Sequence, residues 1–203
     1  MKKILKFVIA AVFVLSLFSV GELLADIRIL QNQMIRLHVV ANSDSEADQS
    51  NKLAVRDEVL KYLDRHLSNI STARQAEEYL SGAVEDIENI VNNTLAQLQA
   101  RYRGKVSLKK EAFTLREYDT FRLPSGVYTA LKIDLGKGEG ENWWCVAFPA
   151  LCAPITTDDF QMTAVQAGIS ETFAKTISNN SEKNIRFFFL DCIGKIENLL
   201  HIS

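Results

Sequence analysis

Met34-Ile35-Arg36-Leu37-His38-Val39-Val40-Ala41-Asn42-Ser43-Asp44-Ser45-Glu46-Ala47-Asp48 holds a switch of hydrophobic period. Ile35, Leu37 and Val39 alternate with Arg36 and His38, the pattern of a strand with one apolar face. Ala41 to Ser45 stops that strand. Ser45 with Asp48 forms an S-x-x-D arrangement, with Asp44 as an alternative cap, ahead of a helix predicted over about 46–67. Leu53, Leu60, Leu63 and Leu67 supply its stripe.

Working outward, Ile27 to Asn32 reads as a short connector. A second long helix is predicted from about Thr72 to Tyr102, with Leu80, Ala83 or Val84, Ile87, Val91, Leu95 and Leu98 on one side and Gly104 as its stop. The period then returns to two. Val106 and Leu108, then Phe113 and Leu115, flank a charged Lys109-Lys110-Glu111 stretch, and Pro124-Ser125-Gly126 turns into a strand of Val127, Thr129, Leu131, Ile133 and Leu135. Gly136-Lys137-Gly138-Glu139-Gly140 matches neither phosphate-binding glycine pattern and precedes a strand from Asn142 to Phe148, so it reads as a hairpin loop. The polar residues 154–183 hold a short helix around Thr163–Lys175, and Phe189, Ile193, Ile196 and Leu200 place a helix over 184–202. These elements predict an α+β domain: an antiparallel sheet, two long helices after its first strand, and a C-terminal helix alongside.

The first 25 residues differ in kind. Lys2, Lys3 and Lys6 precede an apolar stretch from Phe7 to Val20 broken only by Ser16 and Ser19, the arrangement of an export segment. The stretch is shorter than the roughly 20 residues a spanning helix needs. Removal as a signal peptide, after Gly21 or Ala25, and retention as an anchor both fit it. Lysines on the cytoplasmic flank orient the chain so that everything after residue 25 is exported. The expected division is therefore 1–25, a signal peptide or membrane anchor, and 26–203, a single extracytoplasmic domain. The whole chain of 203 residues, 47% hydrophobic and 24% charged, has ordinary globular composition and ample length for one core. Residues 1–25 hold three of the 23 basic and one of the 25 acidic residues, which leaves a net charge of −4 on the remainder. Such a body does not coat nucleic acid or cling to anionic lipid, so membrane contact is expected only through the N-terminal segment.

Three cysteines in an exported domain are read in an oxidising setting. Cys145 and Cys152 lie close in sequence, and a bridge between them closes a small loop worth about 2.5 kcal/mol in the chain-entropy picture. Cys192 is left over, as a buried free thiol or an intermolecular link. Of the three histidines, His66 beside Arg65 and His201 near the C-terminus read as solvated. His38 stands at a strand end near Asn42 and Asp44, where it is a candidate to orient a carboxylate or bind a metal. A zinc site wants three or four ligands, and no second histidine or Cys-x-x-Cys pair lies near it. Asp44, Asp48, Asp158 and Asp159 form no paired-carboxylate motif, and Cys145 at mid-strand is poorly placed as a nucleophile with His38 as base. No cofactor and no small-molecule substrate is expected. Trp143-Trp144 is more telling, because adjacent side chains on a strand face opposite ways. Either one indole reaches the surface as an interface anchor, or Trp144 joins Val146 and Phe148 in the core while Trp143 packs under the cysteine loop or a helix.

Three segments carry a family resemblance: Arg36 to Gln49 followed by Leu53-Ala54-Val55-Arg56-Asp57; Leu123-Pro124-Ser125-Gly126-Val127-Tyr128; and Asn142-Trp143-Trp144-Cys145-Val146-Ala147-Phe148-Pro149-Ala150-Leu151-Cys152. Over the export segment and on to about residue 153 the chain closely resembles the stage II sporulation protein R family. The resemblance implies a signalling protein made in the forespore and exported into the space between the forespore and mother-cell membranes. There it is needed to switch on a membrane-embedded aspartic-type protease that removes the pro-sequence of the sigma-E precursor. On this expectation the chain is a ligand and not an enzyme. Its candidate partner-binding residues are Arg36, His38, Asn42, Asp44, Asp48, Trp143 and Trp144, and Cys145 with Cys152 is the candidate disulfide. The alternative is an exported hydrolase using His38 with Cys145 or Asp44.

Overall fold

The computed structural model describes residues 4, 6–7, 21–22, 24–152, 156–178 and 185–202. Most of the apolar export stretch, and parts of the polar 154–183 region, lie outside the described residues. The chain runs through helix α1 (24–33), β1 (Ile35–Val40), α2 (Glu46–Leu67), α3 (Ala73–Gln97), β2 (Gly104–Phe113), β3 (Arg116–Glu117), β4 (Arg122–Leu123), β5 (Gly126–Leu135), β6 (Asn142–Phe148), α4 (Thr157–Gln166), α5 (Glu171–Ile177) and α6 (Ile185–Ile202). A four-stranded sheet of order β2-β5-β1-β6 divides two helical layers, while β3 and β4 pair as a separate ribbon. The α+β architecture, the two long helices after the first strand and the C-terminal helix are as the sequence predicts.

The order of strands is not the expected one at residues 136–140. Two of the three pairings are antiparallel, but β1 inserts between β5 and β6, running parallel to β5 from Ile35↔Thr129 to Val40↔Asp134. The glycine-rich segment therefore crosses the end of β1 and is not a hairpin loop. All six residues of β1 are buried, which suits an interior strand and would be wasted at an edge. The charged Lys109-Lys110-Glu111 stretch lies inside β2, an edge strand, where exposed charge discourages pairing with another chain.

Side-chain alternation splits the interior. One core joins Ile35, Leu37 and Val39 to Val55, Val59 and Leu63 of α2 and to Leu80, Ile87, Val91 and Leu95 of α3. Full burial of each such side chain is worth about 1.5–3 kcal/mol. The buried stripe of α2 is Val55-Val59-Leu63-Leu67, whereas Leu53, expected within it, is 39% exposed. α3 stops at Gln97, short of Tyr102, because Gln99 adopts a left-handed φ of 57° and Ala100 N–H turns back to the Leu95 carbonyl at 3.0 Å. Gly104 opens β2 and does not cap the helix.

The second core lies across the sheet, where Ile27, Leu30 and Met34 meet Phe113, Tyr128, Phe160, Phe173 and Leu190. Residues 27–32, expected as a connector, are helical because Ile27 and Leu30 share the α1 face that seals this core. The single helix expected around Thr163–Lys175 is two. Gly168, at φ 91°, breaks the chain, and Ser170 Oγ then caps α5 by accepting the Phe173 N–H at 3.3 Å.

α6 docks through Phe187 and Leu190 in the second core and through three polar groups. Asp191 Oδ1 accepts the Ser125 N–H at 2.9 Å, Glu197 Oε2 accepts from Gln31 Nε2 at 2.5 Å, and Asn198 Nδ2 donates to the Phe113 carbonyl at 2.7 Å. Gly194 sits so close to the Ser125 carbonyl that a Cβ there would collide with backbone. Gly194→Ala is therefore expected to lift α6 and cost about 1–3 kcal/mol, since close-packed sites resist added volume. Urea unfolding reads this as a lower midpoint with the slope nearly unchanged.

Candidate functional site

At the exit of β1 the polar signature folds onto itself. Ser45 Oγ accepts the Asp48 N–H at 3.2 Å as the α2 cap. Asp48 then receives Ser43 Oγ at 2.5 Å, Tyr102 Oη at 2.7 Å and Asn42 Nδ2 at 2.8 Å. The Ser43 bond leads, against burial, and the bonds from Tyr102, Asn42 and Ser45 add to it, so the Asp48 carboxyl is held down at about 2. Asn42 Oδ1 accepts the Lys137 N–H at 3.0 Å, and Asp44 Oδ1 accepts the Glu141 N–H at 2.7 Å. Lys52 Nζ donates to the Glu141 carbonyl at 3.0 Å. Burial pushes the Lys52 ammonium down, opposed by Glu141 and Asp44. Gly136 takes φ 58°, and a Cβ there would strike Asn42. These bonds clasp the 42–48 turn to the 136–141 crossover, and the glycines serve close approach rather than a phosphate.

His38 lies one tier deeper, 5% exposed. Its Nδ1 is 3.0 Å from Glu111 Oε2 and its Nε2 2.7 Å from Asn142 Oδ1, while its ring stacks on Trp144 at 3.6 Å between centroids. Burial pushes the Glu111 carboxyl up, but the hydrogen bond and charge of His38, with Lys132 and Lys109, outweigh it and leave the group below its usual range. Arg36, two residues earlier on the same face, is fully enclosed. Its Nη2 donates to Tyr118 Oη at 2.8 Å and its guanidinium lies 4.3 Å over Phe113.

The indoles face opposite ways, and both are half-buried. Trp143 packs on the α2–α3 side with Arg56 of α2 at 4.2 Å, and Trp144 lies between His38 and Arg116, the latter at 4.9 Å. Trp144 shares its core with Val146, but Phe148 has crossed to the Trp143 side, where the β1–β6 register shifts between Ile35 and Arg36. Cys145 and Cys152 form a disulfide with Cα atoms 5.3 Å apart. Cys192 is a free, half-buried thiol on α6.

The structure thus brings Asn42, Asp44 and Asp48 together in one clasp and sets His38, Arg36 and Trp144 in the adjoining tier, with Trp143 on the opposite side of the sheet. Asp158 and Asp159 lie apart from both, in the first turn of α4, where they complement the helix N-terminus. His66 is exposed and bonds the Tyr62 carbonyl at 2.8 Å, and the side chain of His201 lies outside the described residues. No group of three or more His, Cys, Asp or Glu among the described residues could hold a metal ion. Sequence reasoning missed Tyr102, Glu111, Arg56 and Arg116 as partners of the signature, since each stands on another element. The out-of-phase charge of Glu111 within a strand was the one local sign.

Asp48 generates a pH prediction. Its folded pKa lies below its unfolded value, so its contribution to stability is present above the unfolded value and fades as pH falls through about 2. Asp48→Asn is expected to unfold about 2 kcal/mol more easily at neutral pH, the scale of a hydrogen-bonded charge. Denaturant titrations should show that deficit shrinking as pH drops from about 4 towards 2.

Residues 31–158 match the family model described as stage II sporulation protein R. The stage II sporulation protein R of Bacillus subtilis (strain 168) is similar, 36% identical over 124 residues, which is 61% of this chain and 55% of that relative. The match spans about half of the relative's length. No solved structure matches. The matched region runs from the end of α1 through the clasp, both indoles and the disulfide, so this chain belongs to the stage II sporulation protein R family and has a sporulation-related role.

Proposed function

We propose that this protein is an exported sporulation signal that activates a membrane-embedded aspartic-type protease, which then processes the sigma-E precursor in the mother cell. Family membership carries the reading, together with the Cys145–Cys152 bridge, a bond that persists in oxidising compartments. Residues 1–25 export the chain or anchor it, and 26–203 act as one domain in the space between forespore and mother cell. Activation is population shift: the ligand favours the active arrangement of the protease only as far as it binds that arrangement more tightly, about 1.4 kcal/mol for each tenfold preference.

The proposed contact surface is the corner where Asp44 and the exposed Glu141 and Asn142 adjoin the half-buried Trp143. Asp48, buried, supports this corner from within through Asn42 and Ser43, whereas Arg36 is buried at the other end of β1 against Tyr118 and Phe113. The chemistry of the hydrolase alternative is poorly served by these residues. The Cys145 sulfur is tied in a disulfide, both ring nitrogens of His38 face polar partners, and Asp44 is turned to the Glu141 backbone.

Co-expression with the protease and its substrate tests the reading. Trp143→Ala and Asp44→Ala, exported and folded by circular dichroism, are expected to lower precursor processing about tenfold or more, as interface anchors do. Normal processing by both would remove this corner from the contact. Normal processing by folded, exported Cys145→Ser, Cys152→Ser and His38→Ala proteins would dispose of the hydrolase alternative.

A further inference from the structure

α6 is apolar on two sides, and the inner one seats Phe187 and Leu190 in the second core. The side chains it turns inward include Asp191, Glu197 and Asn198, bonded to Ser125, Gln31 and Phe113. Those it leaves outside include Phe188, Phe189, Ile196, Leu199 and Leu200, between 51% and 74% exposed. Nowhere else among the described residues do so many large apolar side chains stand exposed on one element. Isolated exposed apolar residues are ordinary, but a continuous row of them marks a contact surface.

Where the row sits identifies the occupant. The apolar run Phe7–Val20 leads into α1, and α1 is fastened to the C-terminal half of α6 by the Gln31–Glu197 hydrogen bond. Leu24 and Ile29 of α1 are also exposed, at 40% and 41%. A bilayer that receives residues 7–20 is therefore within a short helix of the apolar face of α6. No helix among the described residues is long and apolar enough to cross a membrane. Asp191 and Glu197 hold α6 to the body through Ser125 and Gln31, so the helix presents its apolar side chains outward beside the exposed Lys195, as a helix lying in the interface does.

We propose that α6 is a second, peripheral membrane contact, seating its Phe188–Leu200 face in the headgroup boundary of the bilayer next to the N-terminal segment. The body is acidic, so the contact rests on apolar area rather than charge, and neutral phosphatidylcholine serves as well as anionic lipid. This inference does not require the protease reading, because it asks only that the chain meet a bilayer.

The one free thiol of the chain, Cys192, supplies the probe. The full chain, labelled there with an environment-sensitive fluorophore, is mixed with phosphatidylcholine vesicles whose acyl chains carry bromine. The expected result is blue-shifted emission quenched by the bromolipid and little altered by salt. Ile196→Glu with Leu200→Glu should weaken the α6 signal about tenfold or more, the scale of losing a buried apolar side chain, while flotation through residues 7–20 persists. Vesicle-bound protein with an unquenched, solvent-like label would overturn the proposal, leaving the N-terminus as the tether. An apolar signal that grows with protein concentration and ignores lipid would overturn it in favour of a second copy. The same signal in a dilute monomer would overturn it in favour of cover by the chain's own N-terminal run. Salt-dependent binding confined to anionic vesicles would overturn the apolar mechanism.

Discussion

The insertion of β1 between β5 and β6 sets both the register of the sheet and the division of the interior. Its hydrogen bonds on both edges bring a parallel and an antiparallel neighbour into one sheet, and its alternating side chains feed two separate cores. Ile35, Leu37 and Val39 belong to the α2–α3 layer, whereas Arg36 and His38 point into an aromatic tier of Phe113, Tyr128 and Trp144. A slip of one residue would send a guanidinium and an imidazole into the aliphatic layer. The cost of burying those groups is met on one side only, where Tyr118, Glu111 and Asn142 stand ready. Register and polar satisfaction thus enforce each other.

The same logic explains why the segment after β1 is so polar yet so ordered. Crossing from β5 to β6 over the end of another strand leaves backbone N–H groups with no ladder partner. Asn42 and Asp44 take up those of Lys137 and Glu141. Asp48 then fixes Asn42 and Ser43, and is itself fixed by Tyr102. Much of what marks the family along this stretch is therefore architecture, and the surface left for a partner is what the clasp presents rather than what it consumes.

Period and capping made α2, α3, β5 and the strand from Asn142 legible in sequence, with α2 found to its ends because Ser45 and Asp48 are local signals. The stripe of α2 was misjudged because leucine is not a label for burial: Val55 and Val59 face the sheet while Leu53 faces water. Sheet order was hidden, since nothing local in the 136–140 glycines distinguishes a hairpin from a crossing. α1 was hidden for a related reason, as two apolar residues on one face matter only once a second core exists to receive them. The site residues were found as a signature, but their partners were not, because Tyr102 lies 54 residues from Asp48 and Glu111 lies 73 from His38.

The Gln31–Glu197 bond joins α1 to α6 at the end of the sheet where β1 begins. The signature turn hangs from the opposite end of β1. Five residue steps of an extended strand separate the two, a distance of about 17 Å. The strand is in effect a mast: whatever grips the base of the molecule, the Asp44 corner is carried clear of it by a fixed height and presented outward, free of the crowding at its foot.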